Sequence, residues 1–162
     1  MKSVRVLGLT VLIVGFVLGA CSPEFEDINY GTDQCDYCKM TIVDNKFSAQ
    51  LVTKKGRNYK FDAIECMIWF LNDEYVNRED VYAMRVADYT NPGNMLDAEK
   101  AYYLISPQIR SPMGANLAAF PSMDVAQDYQ NKLDGEIYTL DELFDVLKKR
   151  KRNMEHDHHH HH

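Results

Sequence analysis

The stretch SAQLVTKKGRNYKFDAIECMIWFLN, residues 48–72, carries the main indication of the fold. Two runs of β-favouring residues, 48–53 and 59–61, flank a turn-forming segment, which predicts a β-hairpin. Apolar residues then recur with the spacing of one helical face, so we expect a helix that Asp62 caps and that runs to the end of the stretch. Residues 40–43 are predicted to form a further short antiparallel strand ahead of the hairpin.

A similar order of elements recurs later in the chain. Further strands and helices are predicted at residues 81–86, 101–106, 117–120, 122–135, 136–138 and 140–149. Ser122 is the expected N-cap of the first of these helices and Gly135 its end, and Thr139 is the expected cap of the last helix. We therefore expect an α+β fold of two similar, small ββα(β)-type halves packed together, residues 33–92 and 93–150. Two unrelated α+β halves are the alternative interpretation.

Residues 1–20 have the layout of a bacterial lipoprotein signal peptide. Lys2 and Arg5 precede an apolar run, residues 6–17, and the segment ends in Leu-Gly-Ala-Cys at Cys21. The run is too short for a comfortable membrane span, and the small residues before the cysteine resemble a lipobox, in which that thiol is lipidated after cleavage. An uncleaved anchor is the alternative.

The segment after the signal peptide is predicted to be a lipid-anchor spacer. Residues 21–32 contain one proline, one glycine and three acidic side chains, which suits a connection between lipid and domain. We therefore expect a lipid-anchored protein that faces the periplasm. Ser22, directly after the lipidated cysteine, favours the outer membrane.

The charge balance argues against nucleic acid as a partner. The chain of 162 residues carries 18 basic and 24 acidic residues, a net charge of −6 at pH 7. Removal of Lys2 and Arg5 with the signal peptide makes the domain more acidic still, which disfavours binding to a polyanion. Hydrophobic residues make up 46% of the chain, enough for one compact core or two closely packed halves.

Three cysteines remain in the domain once Cys21 is lipidated: Cys35, Cys38 and Cys66. An odd number of cysteines in an exported protein leaves at least one thiol unpaired. Exposed thiols are oxidised in that compartment unless something occupies them. The cysteine count therefore indicates a ligand or a redox role.

The run Cys-Asp-Tyr-Cys-Lys-Met at residues 35–40 concentrates two thiols and a thioether. If residues 38–42 are extended, side chains alternate between faces, and Cys38 and Met40 project on the same side as a two-sulfur clamp. Thiolate and thioether together select Cu(I) among the biological metals. Cys35 is a candidate second thiolate, although a CxxC pair is also compatible with a disulfide or with a thiol–disulfide oxidoreductase.

A two-sulfur clamp leaves Cu(I) short of a ligand, and Met113 is the candidate for it. Met113 lies between Pro112 and Gly114 in a predicted loop, outside any periodic apolar pattern, although methionine is also a common core residue. Cys66 and Met67 are adjacent on the predicted helix and do not share a face, which argues against both binding one ion. Met67 is expected in the core, and the role of Cys66 stays open.

The tail, residues 151–162, is basic and then rich in histidine. All six histidines of the chain lie there and are candidate auxiliary ligands for Cu(II), Ni(II) or Zn(II): His156, His158, His159, His160, His161 and His162. A purification tag is the alternative. Because no histidine precedes the tail, no Ser/His/Asp or Cys/His catalytic set is present, and we expect a binding protein and not an enzyme.

The lipobox, the CxxCxM run and two later motifs together resemble the NosL family. The later motifs are Tyr-Lys-Phe-Asp at residues 59–62, which leads to Glu-Cys-Met at 65–67, and Ser-Pro-Met-Gly at 111–114. The resemblance covers about residues 33–147. It implies a fold of two similar ββαβ-type halves, related to that of organomercurial lyase.

The resemblance to NosL also implies a function. Proteins of this family are lipid-anchored copper(I) proteins that accompany nitrous oxide reductase in denitrification and are implicated in delivering copper for its copper-sulfide centre. By position, the resemblance implies Cys38, Met40 and Met113 as copper ligands, with Cys35 beside them. The recipient is then nitrous oxide reductase or another copper-accepting enzyme. A sulfur–carbon lyase is an alternative that depends only on fold analogy.

Overall fold

The computed structural model of the protein describes residues 22–158, and side chains up to residue 153. The predicted signal peptide, the lipidation site Cys21 and four of the histidines, 159–162, lie outside the described residues. The side chains of His156 and His158 also lie outside them. Within the part of the chain that is described, no helix combines the length and the apolar character needed to cross a bilayer.

The first sheet has four antiparallel strands and one buried helix. The hairpin is present as predicted, with its turn at Gly56, which has a positive φ of 82°. The strand order is β2-β1-β3-β4, and helix α1 follows β2 in the chain. A short 3-10 helix, Arg78–Asp80, leads into β3. The bounds are β1 Ala49–Thr53, β2 Asn58–Phe61, α1 Ile64–Asn72, β3 Val81–Ala87 and β4 Met95–Asp97.

The second sheet has three antiparallel strands and two helices. Its order is β6-β5-β7, with α2 between β6 and β7 in the chain and α3 at the end. Ser122 caps α2 as predicted, since its side-chain oxygen accepts a hydrogen bond from the backbone of Val125. The bounds are β5 Tyr102–Ile105, β6 Leu117–Phe120, α2 Met123–Leu133, β7 Glu136–Tyr138 and α3 Leu140–His158.

The two sheets repeat one topology, which confirms the predicted pair of similar halves. In each, two hairpin strands are followed by a helix and a third strand, and the first strand of the hairpin lies in the middle. A parallel bridge between Asp88 and Ala119 joins the two sheets. The position of the division at residue 92 stays a prediction.

Helix α1 is the centre of the larger hydrophobic core. Eight consecutive residues, 64–71, are buried, so the helix is enclosed on all sides and not only along one face. Helix α3 packs against it, and the indole nitrogen of Trp69 donates to the carbonyl of Leu147 at 3.4 Å. This core and a second, smaller one both lie between Ile28 and Leu147. Residues 22–155, termed the truncated chain below, therefore contain every core residue of the part of the chain that the structure describes.

Two local expectations are wrong, and one strand was missed. Residues 40–43 are not a strand: they form one isolated bridge, between Gln34 and Thr41, and Lys39 before them adopts a left-handed φ of 66°. Asp62 does not cap α1, whose N-cap residue is Ala63 and has no side-chain cap hydrogen bond. The strand β4 was not expected, because three residues are too few to give a period-two pattern.

We expect Gly135→Ala to destabilise the fold by about 3 kcal/mol. Gly135 lies between α2 and β7 with a φ of 107°, and an added Cβ would collide with the backbone carbonyl of Ile105 on β5. Gly56→Ala is the control: its φ is also positive, but nothing lies within 4 Å of the added Cβ, so the cost is about 1 kcal/mol. Denaturant unfolding of the truncated chain measures both, and equal costs would contradict the prediction.

Candidate metal centre

The fold brings together three cysteines that are far apart in the sequence. The Sγ atoms of Cys35, Cys38 and Cys66 all lie within 4.8 Å of one another, and the three thiols are free. Cys35 and Cys66 are fully buried, whereas Cys38 is partly exposed. These residues, termed the cysteine triad below, form a sulfur site that is open to solvent on the Cys38 side.

The first two cysteines of the triad lie on a closed loop, residues 35–40, which we call the CxxC loop. The backbone N–H of Cys35 donates to the carbonyl of Met40 at 2.8 Å, and the N–H of Lys39 donates back to the carbonyl of Cys35 at 3.0 Å. These bonds and the left-handed Lys39 fold the loop around its own sulfur atoms. Because the segment is not extended, strand alternation does not place Cys38 and Met40 on one face.

Asp36 and Tyr37 attach the CxxC loop to the rest of the fold. Asp36 pairs with the edge strand β2, where its backbone N–H donates to the carbonyl of Lys60 and its carboxylate accepts from the N–H of Lys60, both at 2.8 Å. The hydroxyl of Tyr37 donates to Asp73 at 2.9 Å, and Lys151 of α3 donates to both groups. The loop is thus held by β2, by the end of α1 and by α3.

The third cysteine of the triad is on helix α1. Because α1 is enclosed by the core, Cys66 is fixed in place and completely shielded from solvent. Only the packing of the CxxC loop against α1 places this thiol beside the other two. In the sequence, the odd number of cysteines was the one indication that Cys66 has a role.

The electrostatics of the triad favour one thiolate and two thiols. A hydrogen bond from the thiol of Cys66 lowers the pKa of Cys35 to about 5, against burial, with help from the backbone N–H groups of Asp62, Cys38 and Tyr37. Burial and the neighbouring Cys35 thiolate raise the pKa of Cys38. The bond that Cys66 donates to Cys35, together with burial, raises the pKa of Cys66. The triad therefore carries a single negative charge at neutral pH.

Met40 lies at the surface beside this site. Its side chain is 48% exposed, and its backbone N–H faces the Sγ of Cys38. Met40 and the partly exposed Cys38 thus both reach solvent at the CxxC loop. A role of Met40 as a metal ligand stays a prediction.

Met113 lies on residues 111–115, which we call the Met113 loop. Its side chain is half-buried and packs against the core that contains the triad. The loop is bound to Glu65, the neighbour of Cys66 on α1, through the hydroxyl of Ser111 at 2.5 Å and the backbone N–H of Ala115 at 3.4 Å. The fold therefore brings the Met113 loop to the helix of the triad, and coordination by Met113 stays a prediction.

Comparison with known proteins gives one family. The NosL family model matches residues 29–147. A curated relative, the copper-binding lipoprotein NosL of Stutzerimonas stutzeri, is 25% identical over 171 aligned positions, which cover 95% of this chain and 88% of the relative. The crystal structure of the copper chaperone NosL from Shewanella denitrificans has a TM-score of 0.64 and 22% identity, and covers 74% of this chain and 95% of that one. The likeness to that structure supports the α+β fold.

Proposed function

Because the chain belongs to the NosL family, we propose that it is a lipid-anchored, periplasm-facing copper chaperone that carries Cu(I) on its cysteine triad. The observation that carries the proposal is the gathering of three free thiols within 4.8 Å. The relatives are named for copper binding and for copper chaperoning, not for a catalytic activity. The protein is accordingly a carrier of the ion and not an enzyme.

The cysteine triad suits Cu(I) because its sulfur ligands are soft donors and together carry little charge. Thiolates and thioethers are the protein ligands that select Cu(I), whereas structural Zn(II) sites take four ligands, mostly thiolate or imidazole. The thiolate of Cys35 is formed before the ion binds and offsets the single charge of Cu(I). Cys38 and Cys66 complete a compact sulfur site, and the thioethers of Met40 and Met113 are the further candidate ligands.

The exposed side of the triad is the route for transfer. Cys38 is partly exposed and Met40 is half-exposed, while Cys35 and Cys66 are buried behind them. A sulfur ligand of a recipient protein can therefore approach the ion from the Cys38 side and replace these ligands one at a time. The recipient is a copper-accepting enzyme, with nitrous oxide reductase and its copper-sulfide centre as the proposed case.

Three further parts of the proposal concern the ends of the chain. Lipidation at Cys21 tethers the domain to a membrane, with the outer membrane favoured by Ser22. The predicted signal peptide directs export, as the lipoprotein name of the curated relative suggests. The histidines of the tail collect metal ions near the site without a fixed geometry.

Burial argues against a thiol–disulfide oxidoreductase. Such an enzyme attacks its substrate with an accessible, low-pKa thiolate. Here the thiolate is Cys35, which has no exposed surface. The exposed member, Cys38, has a raised pKa and is a poor nucleophile at neutral pH.

Anaerobic titration of the truncated chain with Cu(I), against a competing chelator, tests the proposal. We expect one tightly bound Cu(I) per chain and a loss of affinity of about 100-fold in Cys38→Ala, because a sulfur ligand is removed. Met123→Leu, which changes an exposed methionine at the start of α2, is the control and should bind as the wild type does. Unchanged binding in Cys38→Ala would sink the proposal.

A further inference from the structure

Glu65 is a buried carboxylate that the copper-carrying function does not by itself require. It lies in the first turn of α1, next to Cys66, with no exposed surface. Glutamate is almost never fully buried unless it is paired with a cation or strongly hydrogen-bonded. No cation pairs with Glu65 among the described residues, and burial raises its pKa. A buried Glu65 without a cation is therefore expected to have a specific structural or functional role.

One oxygen of Glu65 holds the Met113 loop. The Oε1 atom accepts hydrogen bonds from the hydroxyl of Ser111 at 2.5 Å and from the backbone N–H of Ala115 at 3.4 Å. The backbone N–H of Met113 also faces this carboxylate. The two bonded residues lie on either side of Met113, so the carboxylate fixes both ends of the segment that carries the thioether.

The Met113 loop has few other restraints. One turn bond joins the N–H of Gly114 to the carbonyl of Ser111 at 3.0 Å, and the hydroxyl of Ser111 accepts from the N–H of Leu117 at 3.3 Å. Gly114 in the loop and Asn116 directly after it have positive φ angles. The second oxygen of Glu65, Oε2, is buried without a hydrogen-bond partner among the described residues. A buried oxygen without a partner is costly, so the hydrogen bonds of Oε1 to the Met113 loop are the contacts that stabilise this carboxyl group in the core.

We infer that Glu65 is a positioning residue of the copper site: it holds the Met113 loop on α1 beside Cys66 and so sets where the Met113 thioether lies relative to the cysteine triad. This inference rests on the proposed function, because it requires copper on the triad. Glu65 itself does not touch the ion. It acts through the loop, and its removal should release the thioether from the site while leaving the thiols in place.

Asp62 provides a matched control. It is also buried, with 1% exposure, and its Oδ1 also lacks a partner among the described residues. Its carboxylate, however, faces the backbone N–H of Val43, on the side of the CxxC loop, and not the Met113 loop. Asp62→Asn thus makes the same carboxyl-to-amide change as Glu65→Gln, in an equally buried side chain, without releasing Met113.

The test follows the methyl group of Met113 by NMR in the truncated chain, labelled at its methionine methyl groups and assigned with Met113→Leu. We expect Cu(I) to shift this resonance in the wild type, in Glu65→Gln and in Asp62→Asn, since the Gln oxygen can still accept from Ser111 and Ala115. In Glu65→Ala the shift should be lost and the Cu(I) affinity should fall about 10-fold, while the thiolate-to-copper absorption remains.

The outcomes separate the inference from the proposed function. If Glu65→Ala does not fold, Ser111→Ala removes the same hydrogen bond from the loop side and should also lose the shift. A shift retained in both variants, or lost in Glu65→Gln or Asp62→Asn, would overturn the inference. So would a wild-type chain that binds Cu(I) through its thiols without moving the Met113 resonance. A wild-type chain that does not bind Cu(I) at all would overturn the proposed function itself.

Discussion

Cys66→Ala is expected to lower the affinity for Cu(I) about 1,000-fold, or ~4 kcal/mol, although it lies outside the CxxCxM run. Cys66 contributes one of the three sulfur atoms that lie within 4.8 Å of one another. It also donates the hydrogen bond that contributes most to keeping Cys35 ionised. The variant therefore loses a ligand and leaves the remaining thiolate harder to form, so its effect should exceed that of Cys38→Ala. Competition titration of the truncated chain at neutral pH measures it.

Met67→Leu is the matched control for Cys66→Ala. Met67 is the next residue on α1 and is equally buried, and leucine nearly conserves its volume. We expect this variant to bind Cu(I) as the wild type does, which separates the chemistry of the thiol from damage to the core. A Cys66→Ala chain with wild-type affinity would instead favour a site built only from Cys38, Met40 and Met113.

The fold could be predicted largely because its elements are locally encoded. The hairpin around Gly56, helix α1 and the cap at Ser122 follow from turn chemistry, from periodicity and from a capping side chain. The β4 strand has no such local signal: it exists because Met95–Asp97 pairs with β3. The similarity of the halves could be read from the order of elements, since topology survives where sequence similarity does not.

The CxxC loop could not be predicted because its shape depends on distant partners. Lys39 takes a left-handed φ that is uncommon for a non-glycine residue, and the pairing of Asp36 with Lys60 of β2 helps to fix the loop around it. The local sequence looked extended, so a strand was expected. The expected strand was the reason to place Met40 beside Cys38. The fold brings Cys66 to Cys38, and a role of Met40 as a ligand stays a prediction.

Cys66 was left open for a related reason. Helical spacing argues against Cys66 and Met67 both binding one ion, but it gives no information on what packs against that helix. The contact between α1 and the CxxC loop joins residues about 30 positions apart and is a property of the tertiary structure. Glu65 was likewise recognisable only once its partners on the Met113 loop were known.

The second large expected effect is a low pKa of Cys35, so that its thiolate is already formed in the copper-free protein. Ultraviolet titration of the truncated chain should show one thiolate with a midpoint of about 5, where an ordinary thiol has a pKa of 9.0. In Cys66→Ala the midpoint should move upward, toward 9.0, because the hydrogen bond from Cys66 is the largest cause of the shift. Met67→Leu is again the control and should keep the low midpoint.

The direction of the shift fixes how pH acts on stability and on copper binding. Because the folded pKa of Cys35 lies below its ordinary value of 9.0, the contribution of this thiolate to stability is complete above pH 9, shrinks as the pH falls and is lost below about pH 5. Between these values Cu(I) displaces protons only from Cys38 and Cys66, whose pKa values are raised. The affinity for Cu(I) should therefore rise with pH across this range. A wild-type midpoint near 9.0 that Cys66→Ala leaves unchanged would contradict the sulfur–sulfur hydrogen bond, and copper binding would then have to displace a proton from Cys35 as well.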